Sequence, residues 1–150
     1  MRIALFEPEI AGNVGAVMRL CACLGARVDL IEPLGFAWDD RRVRRTAMDY
    51  IDHVEVVRHA SFAAFRQTLG QSRLVLFSTK TTQDAYAFAY RNDDVLLFGK
   101  ESAGVPPEVV DAADERVRLP MRAAVRSLNL ATSAALALGE ALRQTGGLPG

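Results

Sequence analysis

The chain alternates between short unbroken apolar runs and longer stretches in which apolar residues recur every three or four positions. Ile3 to Phe6 is the first run, and it stops at Glu7-Pro8. Val14, Val17, Cys21 and Leu24 then follow at steps of three, four and three, which places them on one face of a helix. Gly25 is positioned to close that helix, and Arg27 to Ile31 predicts the next strand. Val54 to Val57 predicts a weak third strand, and Ser61 a cap for a helix carrying Phe62, Phe65 and Leu69 inward. Leu74 to Phe77 and Val95 to Phe98 are continuous apolar runs, the pattern of strands covered on both faces. Pro106 and Pro107 open a short helix, and Val117 to Leu119 is the last expected strand. A final helix places Leu128, Ala131, Ala135, Leu138 and Leu142 on one stripe.

Strands alternating with helices in this way predict an α/β fold: a mostly parallel sheet with helices on both faces and ligands at the carboxyl ends of its strands. There is no internal repeat, low-complexity stretch or linker, so residues 1–150 are expected to form one domain. No run approaches the ~20 apolar residues that cross a bilayer, and no charged-then-apolar leader precedes the first strand. A cytoplasmic location without membrane attachment is the expectation. Cys21 and Cys23 lie one residue apart on a helix and point to different sides, which suits neither a disulfide nor a zinc site. The histidines, His53 and His59, are expected at the surface or half-buried, and no metal is expected.

Charge refines this picture. The net charge is zero, which argues against a generally sticky nucleic-acid binder, yet Arg41, Arg42, Arg44 and Arg45 fall within five residues. A local basic patch on a neutral body can hold a few phosphates, although the charges taken alone describe a solvated, ion-paired face.

Three loops after expected strands carry candidate chemistry. Asn13-Val14-Gly15 with Arg19 follows the first strand, and Phe98-Gly99-Lys100-Glu101-Ser102-Ala103-Gly104-Val105-Pro106 follows a later one. Leu119-Pro120-Met121 leads into Arg126-Ser127-Leu128-Asn129-Leu130 at the head of the last helix. The first strand is not followed by G-x-G-x-x-G, and no G-x-x-x-x-G-K-[ST] loop occurs. With histidines only in mid-chain, no Ser-His-Asp or Cys-His arrangement can be built. Hydride, phosphoryl and acyl transfer lose support together.

The set N-x-G-x-x-x-R (Asn13, Gly15, Arg19), F-G-x-E-x-x-G-x-P (Phe98 to Pro106) and L-P-M…R-S-x-N-L (Leu119 to Leu130) resembles the SPOUT class of S-adenosylmethionine-dependent RNA methyltransferases. Glu7-Pro8-Glu9-Ile10, Ile31 to Phe36 and Asp49-Tyr50 look like the subfamily that methylates the ribose 2′-hydroxyl of the tRNA wobble nucleotide. The resemblance runs from Arg2 to Gln144. It implies a C-terminal deep trefoil knot, a rare exception to unknotted topology. It also implies a homodimer packed through the first and last helices, with S-adenosylmethionine bent into the knot and tRNA as substrate.

By the same resemblance, the cofactor is held by Phe77, Ser78 and Thr79, by Gly99, Glu101 and Gly104, and by Leu119, Met121, Ser127 and Leu128. The chemistry of these residues is compatible. Gly99 and Gly104 allow close backbone approach. Leu119 and Met121 offer apolar walls for an adenine ring, and Ser127 and Asn129 offer short polar contacts. Taken singly, the glycines could simply turn the chain and Ser127 or Asn129 cap a helix. The catalytic set implied is Arg19, Glu101, Ser127 and Asn129. An arginine is a poor proton acceptor, so the role expected of Arg19 is to grip the target phosphate and stabilise the developing alkoxide. Arg41, Arg42, Arg44, Arg45, Arg122 and Arg126 are expected to join Arg19 in contacting tRNA. Gly15, Ala16, Ala131, Ala134, Ala135 and Ala141 would permit close helix approach across a dimer, as they would in an ordinary core.

Val125 stands where the family commonly has serine, Ala103 where it has arginine, and Ala131 and Thr132 where it has serine and asparagine. These departures bear on target choice more than on cofactor use, and Arg122 can compensate in part for Ala103. A ribosomal-RNA methyltransferase of the same class, or an idle cofactor- or RNA-binding module, are the alternatives. A dinucleotide-dependent oxidoreductase is a poorer one.

Overall fold

The structure is a computed structural model describing residues 1–150, for residues 46–48 the backbone only. Six parallel strands form one sheet: β1 (Arg2–Phe6), β2 (Arg27–Ile31), β3 (Val56–His59), β4 (Leu74–Phe77), β5 (Val95–Phe98) and β6 (Glu115–Val117). Five α-helices accompany them: α1 (Ala11–Leu24), α2 (Asp40–Ala47), α3 (Phe62–Arg66), α4 (Pro107–Ala112) and α5 (Leu130–Thr145). A 3-10 segment at Met48–His53 follows α2.

Successive strand residues point to opposite faces, and each face finds its own cover. Ile3, Leu5, Leu96 and Phe98 join the core formed with α1 and α5, whereas Ala4, Phe6, Val95 and Leu97 join a second core with α3 and α4. Each of the larger buried aliphatic side chains contributes roughly 1.5–3 kcal/mol relative to exposure. Gly25, in the left-handed region at φ 74°, ends α1 and frees the chain to enter β2.

The strand order is β3-β2-β1-β5-β4-β6. From β1 the chain adds β2 and β3 on one side, crosses over to β4, returns to place β5 between β4 and β1, and then adds β6 at the far edge. Ladder order therefore reverses between β1 and β5, the position at which open α/β sheets leave a crevice at their carboxyl edge.

Several sequence expectations need correction. The third strand is Val56–His59, not 54–57, because its ladder pairs Val28 with Val56 and Ile31 with His59. The last strand is Glu115–Val117, not 117–119: β4 ends opposite Val117, and Arg118 continues only as an isolated bridge to Asp84. Leu119 is thereby released from the sheet. In α3 the Ser61 hydroxyl does cap, accepting from the Ala64 N–H at 3.0 Å. That helix is only five residues long, so Phe65 is buried, Phe62 is half-buried and Leu69 lies beyond it.

The stripe expected on the last helix is rotated. Asn129 caps α5, Leu128 lies outside it, and the buried positions are Leu130, Ala134, Ala137, Leu138, Ala141 and Leu142. Ala135 is exposed and Ala131 half-buried. The helix faces both α1 and β5, and three of its buried positions are alanines.

His59 is buried rather than at the surface. Its Nε2 lies 2.7 Å from Oδ1 of Asp29, which also takes Arg2 Nε at 2.7 Å and an Arg27 guanidinium N–H at 2.8 Å. Burial raises the Asp29 pKa, but the hydrogen bonds from Arg2, His59 and Arg27 outweigh it and hold the carboxyl below its ordinary value. His53 is exposed.

Candidate functional site

A cavity of about 640 Å³ opens at the carboxyl ends of β4, β5 and β6, beside the start of α1. That size is within the range of small-molecule pockets. It is lined by every residue expected to hold a cofactor: Phe77, Ser78, Thr79, Gly99, Glu101, Gly104, Leu119, Met121, Ser127 and Leu128. Asn129 and Arg126 line it as well. Leu119 is buried and Met121 half-buried, so the segment leaving β6 presents apolar surface, while the Ser127–Asn129 stretch is exposed.

The shape of the 99–104 loop follows from its glycines. Lys100 and Gly104 exchange two backbone hydrogen bonds, at 3.0 Å and 2.9 Å, closing the loop on itself. Gly104 turns at φ 67°, and a Cβ on Gly99 would lie 2.5 Å from the carbonyl carbon of Gly104. Residue 99 therefore has no room for a side chain. Phe98, stacked on Phe77 with ring centroids 4.8 Å apart, ties the ends of β5 and β4 together beneath the loop.

Polar groups converge from the β1 side. Asn129 Nδ2 donates to Asn13 Oδ1 at 3.0 Å, while Asn129 Oδ1 accepts from the Thr132 N–H at 3.2 Å. One side chain thus caps α5 and fastens its head to α1. Glu101 Oε2 accepts from the peptide N–H of Glu9 at 2.7 Å. Its other oxygen, Oε1, is buried without a partner; among the described residues only Arg27 Nε shares that condition. A buried, unpartnered carboxylate oxygen beside a cavity is a place for a ligand donor.

Glu101, Ser127 and Asn129 line this cavity, whereas Arg19 does not. Arg19 is exposed on α1, its guanidinium 5.0 Å from the centroid of the Tyr50 ring. Arg122 is exposed and also outside the lining. Arg41, Arg42, Arg44 and Arg45 are exposed on α2, which packs against α1 and is anchored by buried Val43. Arg44 lies 3.6 Å from Asp52.

Sequence reasoning missed the role of Ser102 and of the β1–α1 loop acids as partners of the 99–104 loop. Glu9 Oε1 accepts from the Ser102 N–H at 2.9 Å and its hydroxyl at 2.7 Å, and Lys100 Nζ pairs with Glu7 Oε2 at 3.0 Å. The hydrogen bonds from Ser102 hold the Glu9 carboxyl below its ordinary value. The acids of Glu7-Pro8-Glu9 were a visible signal, but partners more than ninety residues away were not.

Among the described residues no group of three or more His, Cys, Asp or Glu side chains is placed to hold a metal ion. No helix there is long and apolar enough to cross a membrane.

The chain is similar to several known proteins. A tRNA (cytidine(34)-2′-O)-methyltransferase of Beijerinckia indica subsp. indica is 53% identical over 148 residues, 97% of this chain and 92% of that one. The enzyme of the same name from Escherichia coli strain K12 is 42% identical, over 97% of this chain and 94% of that one. A solved structure described as "Structural insights into the 2-OH methylation of C/U34 on tRNA" superposes with a TM-score of 0.91 at 41% identity, covering 95% of this chain and 94% of that one. The SpoU methyltransferase AviRb from Streptomyces viridochromogenes, in complex with AdoMet, gives a TM-score of 0.88 at 25% identity over 96% of this chain and 57% of its own. The model of the SpoU rRNA Methylase family matches residues 1–139, and the chain belongs to that family.

Proposed function

We propose that the protein transfers a methyl group from S-adenosyl-L-methionine to the ribose 2′-hydroxyl of the wobble nucleotide, cytidine or uridine 34, of tRNA. The observation that carries this is the glycine-shaped cavity at the carboxyl ends of β4 to β6, together with Glu101 Oε1 open to a donor, in a chain 53% identical to an enzyme of that name. The residues fit the cofactor. Leu119 and Met121 offer apolar walls for its adenine, the Phe77–Thr79 strand end and the Gly99–Gly104 loop offer main-chain groups, and Ser127 and Leu128 close the far side. When bound, the cofactor supplies a methyl group on a positively charged sulfur.

The chain's own part is to align and to stabilise charge. Holding the hydroxyl in line with the methyl supplies several kcal/mol of the barrier. Arg126 at the rim and the arginines of α2 grip phosphates, Asn129 orders the head of α5, and Glu101 accepts from a bound donor. Arg19 reaches the target phosphate from α1 and stabilises the alkoxide as it forms. Its placement outside the cavity of its own protomer supports a homodimer in which each site borrows groups from the partner. The exposed outer side of α5, with Ala135 and Leu136, supports the same reading. The knot belongs to this proposal through the family likeness; separately, Gln144 on α5 donates to the Phe88 carbonyl at 3.0 Å and accepts from the Tyr90 N–H at 3.1 Å, tying the C-terminal helix to the segment between β4 and β5.

Nucleoside mass spectrometry tests the function directly. Bulk tRNA from cells deleted for this gene, incubated with purified protein and S-adenosylmethionine, should gain 2′-O-methylcytidine or 2′-O-methyluridine at position 34. No methyl gain on tRNA, with the cofactor bound, would refute the substrate; failure to bind the cofactor would refute the site.

A further inference from the structure

Glu9 stands outside the cavity lining, yet it touches two successive residues of the loop that shapes the cavity. Its peptide N–H gives a hydrogen bond to Glu101 Oε2, and its own carboxylate takes two from Ser102, one from the backbone and one from the hydroxyl. The exchange resembles a capping box, but joins two loops instead of closing a helix.

Two neighbours fix where Glu9 sits. Glu7 holds a left-handed φ of 44°, unusual for a residue with a side chain, and turns the chain out of β1 while its carboxylate meets Lys100 Nζ. From the other side the loop after β2 presses close: Gly35 donates to the Pro8 carbonyl at 2.9 Å, and a Cβ at position 35 would lie 2.7 Å from Glu9 Cα. Residue 9 is thus clamped between the β2 loop and the β5 loop. Because Glu101 Oε2 is committed to it, Oε1 is the oxygen left without a partner. The clasp decides which oxygen of Glu101 a ligand meets.

We propose that Glu9 is a positioning residue for the transfer reaction: its carboxylate fixes the 99–104 loop through Ser102, and so keeps Glu101 where the Glu9 peptide N–H can orient its carboxylate for cofactor and target nucleotide. The proposal rests on the methyltransferase reading above. Stability alone is a poor explanation for the Ser102 contacts to the Glu9 carboxylate, since both are exposed and water can replace them. Hydrogen bonds to a carboxylate are nevertheless strong enough to select a loop conformation.

The test compares Glu9→Ala, Glu9→Gln, Ser102→Ala and the Glu9→Ala/Ser102→Ala double variant. Three quantities are measured: calorimetric affinity for S-adenosylhomocysteine, single-turnover methyl transfer to tRNA at saturating cofactor, and the thermal midpoint. Glu9→Ala should lower the transfer rate about tenfold or more, the scale of one charge-assisted hydrogen bond. It should also bind S-adenosylhomocysteine more weakly, with the midpoint unchanged. Glu9→Gln keeps the acceptor oxygen and should recover most of both properties. The double variant should be no worse than Glu9→Ala, since the two residues act through one contact. Wild-type rate and affinity in Glu9→Ala, or a Glu9→Gln variant as impaired as Glu9→Ala, would overturn the proposal. If the wild-type protein adds no methyl to tRNA, the substrate reading fails. The affinity series then decides the role of Glu9 by itself, with equal affinities across all four variants overturning it.

Discussion

Single residues at this site act through geometry more than through unusual chemistry. Gly99 is the plainest case: a methyl group there would collide with the backbone of Gly104, which has no flexible end to move aside. Gly99→Ala should therefore open the Lys100–Gly104 bridge and weaken S-adenosylhomocysteine binding by about tenfold or more by calorimetry, the equivalent of one or two hydrogen bonds. Arg19 makes the opposite prediction. It lies outside the cavity, so Arg19→Ala should abolish transfer in single-turnover assays while leaving cofactor affinity nearly intact. A variant that no longer binds cofactor would remove Arg19 from the role of phosphate grip. Away from the site, Asp29 anchors β1, β2 and β3 by collecting Arg2, Arg27 and His59 with no exposure to water. Asp29→Asn should destabilise the fold by roughly 3 kcal/mol, since it removes the buried counter-charge of Arg2 and leaves Arg27 only the exposed Glu55 at 3.7 Å. Because the folded-state pKa of Asp29 is lowered, its contribution is complete above the ordinary carboxylate range and fades as pH falls through the depressed value. The stability gap between wild type and Asp29→Asn, measured by denaturant titration, should narrow below about pH 4, near the unfolded value of an aspartate.

At the scale of elements, α2 is where sequence and structure part. The arginines advertised a patch, but from Asp40 to Arg45 the helix has Val43 among charged residues, with no apolar stripe for periodicity to find. The structure gives those arginines a rigid presentation beside α1. Charge reversal at Arg41 and Arg44 together should weaken tRNA binding and lower the slope of log affinity against log salt by about one for each phosphate no longer gripped. Unchanged methylation of tRNA by that double variant would take α2 out of the RNA interface. What was legible elsewhere followed from burial on both faces: β1, β2, β4 and β5 read correctly because a covered parallel strand has few polar positions to blur it. The errors fell at edges. β3 and β6 flank the sheet, keep polar residues, and have their limits set by pairing with a neighbour rather than by their own pattern. On α5 the stripe was misplaced because alanines are common on both sides of the helix, so hydrophobicity alone does not choose the face that meets α1. Of the residues that line the cavity, those of Phe98–Val105 and Leu119–Leu130 were readable as strand-end motifs, whereas Phe77, Ser78 and Thr79 lie in no motif. The Glu9 clasp was not readable, since it is made by pairing residues 9 and 102, which the chain separates widely.

For the whole molecule, the open question is what covers α5. A helix that buries Leu130, Ala134, Ala137, Leu138, Ala141 and Leu142 inside its own protomer has used its apolar stripe, yet Leu136 on the outer side remains 42% exposed beside Ala135. Leu128 and Val125 just before the helix, and Ile10 just before α1, are exposed as well. Ile10 and Leu128 also line the cavity, and solitary exposed apolar residues are ordinary, but Leu136 lies on the outer side of a helix proposed to meet a second copy. Small outer side chains such as Ala135 would let two α5 helices approach closely. A site completed across such an interface depends on protein concentration, because the dimer and its activity share one equilibrium. Sedimentation velocity should show the wild type as a dimer, and Leu136→Glu should shift it toward monomer by placing two like charges in the contact. Transfer should fall in step with dimer content, while Asn129, Glu101 and the cavity of each separate protomer stay in place and S-adenosylhomocysteine binding declines less. A Leu136→Glu protein that remains dimeric would move the interface to another face, and a monomer with full activity would return Arg19 to the cavity of its own chain.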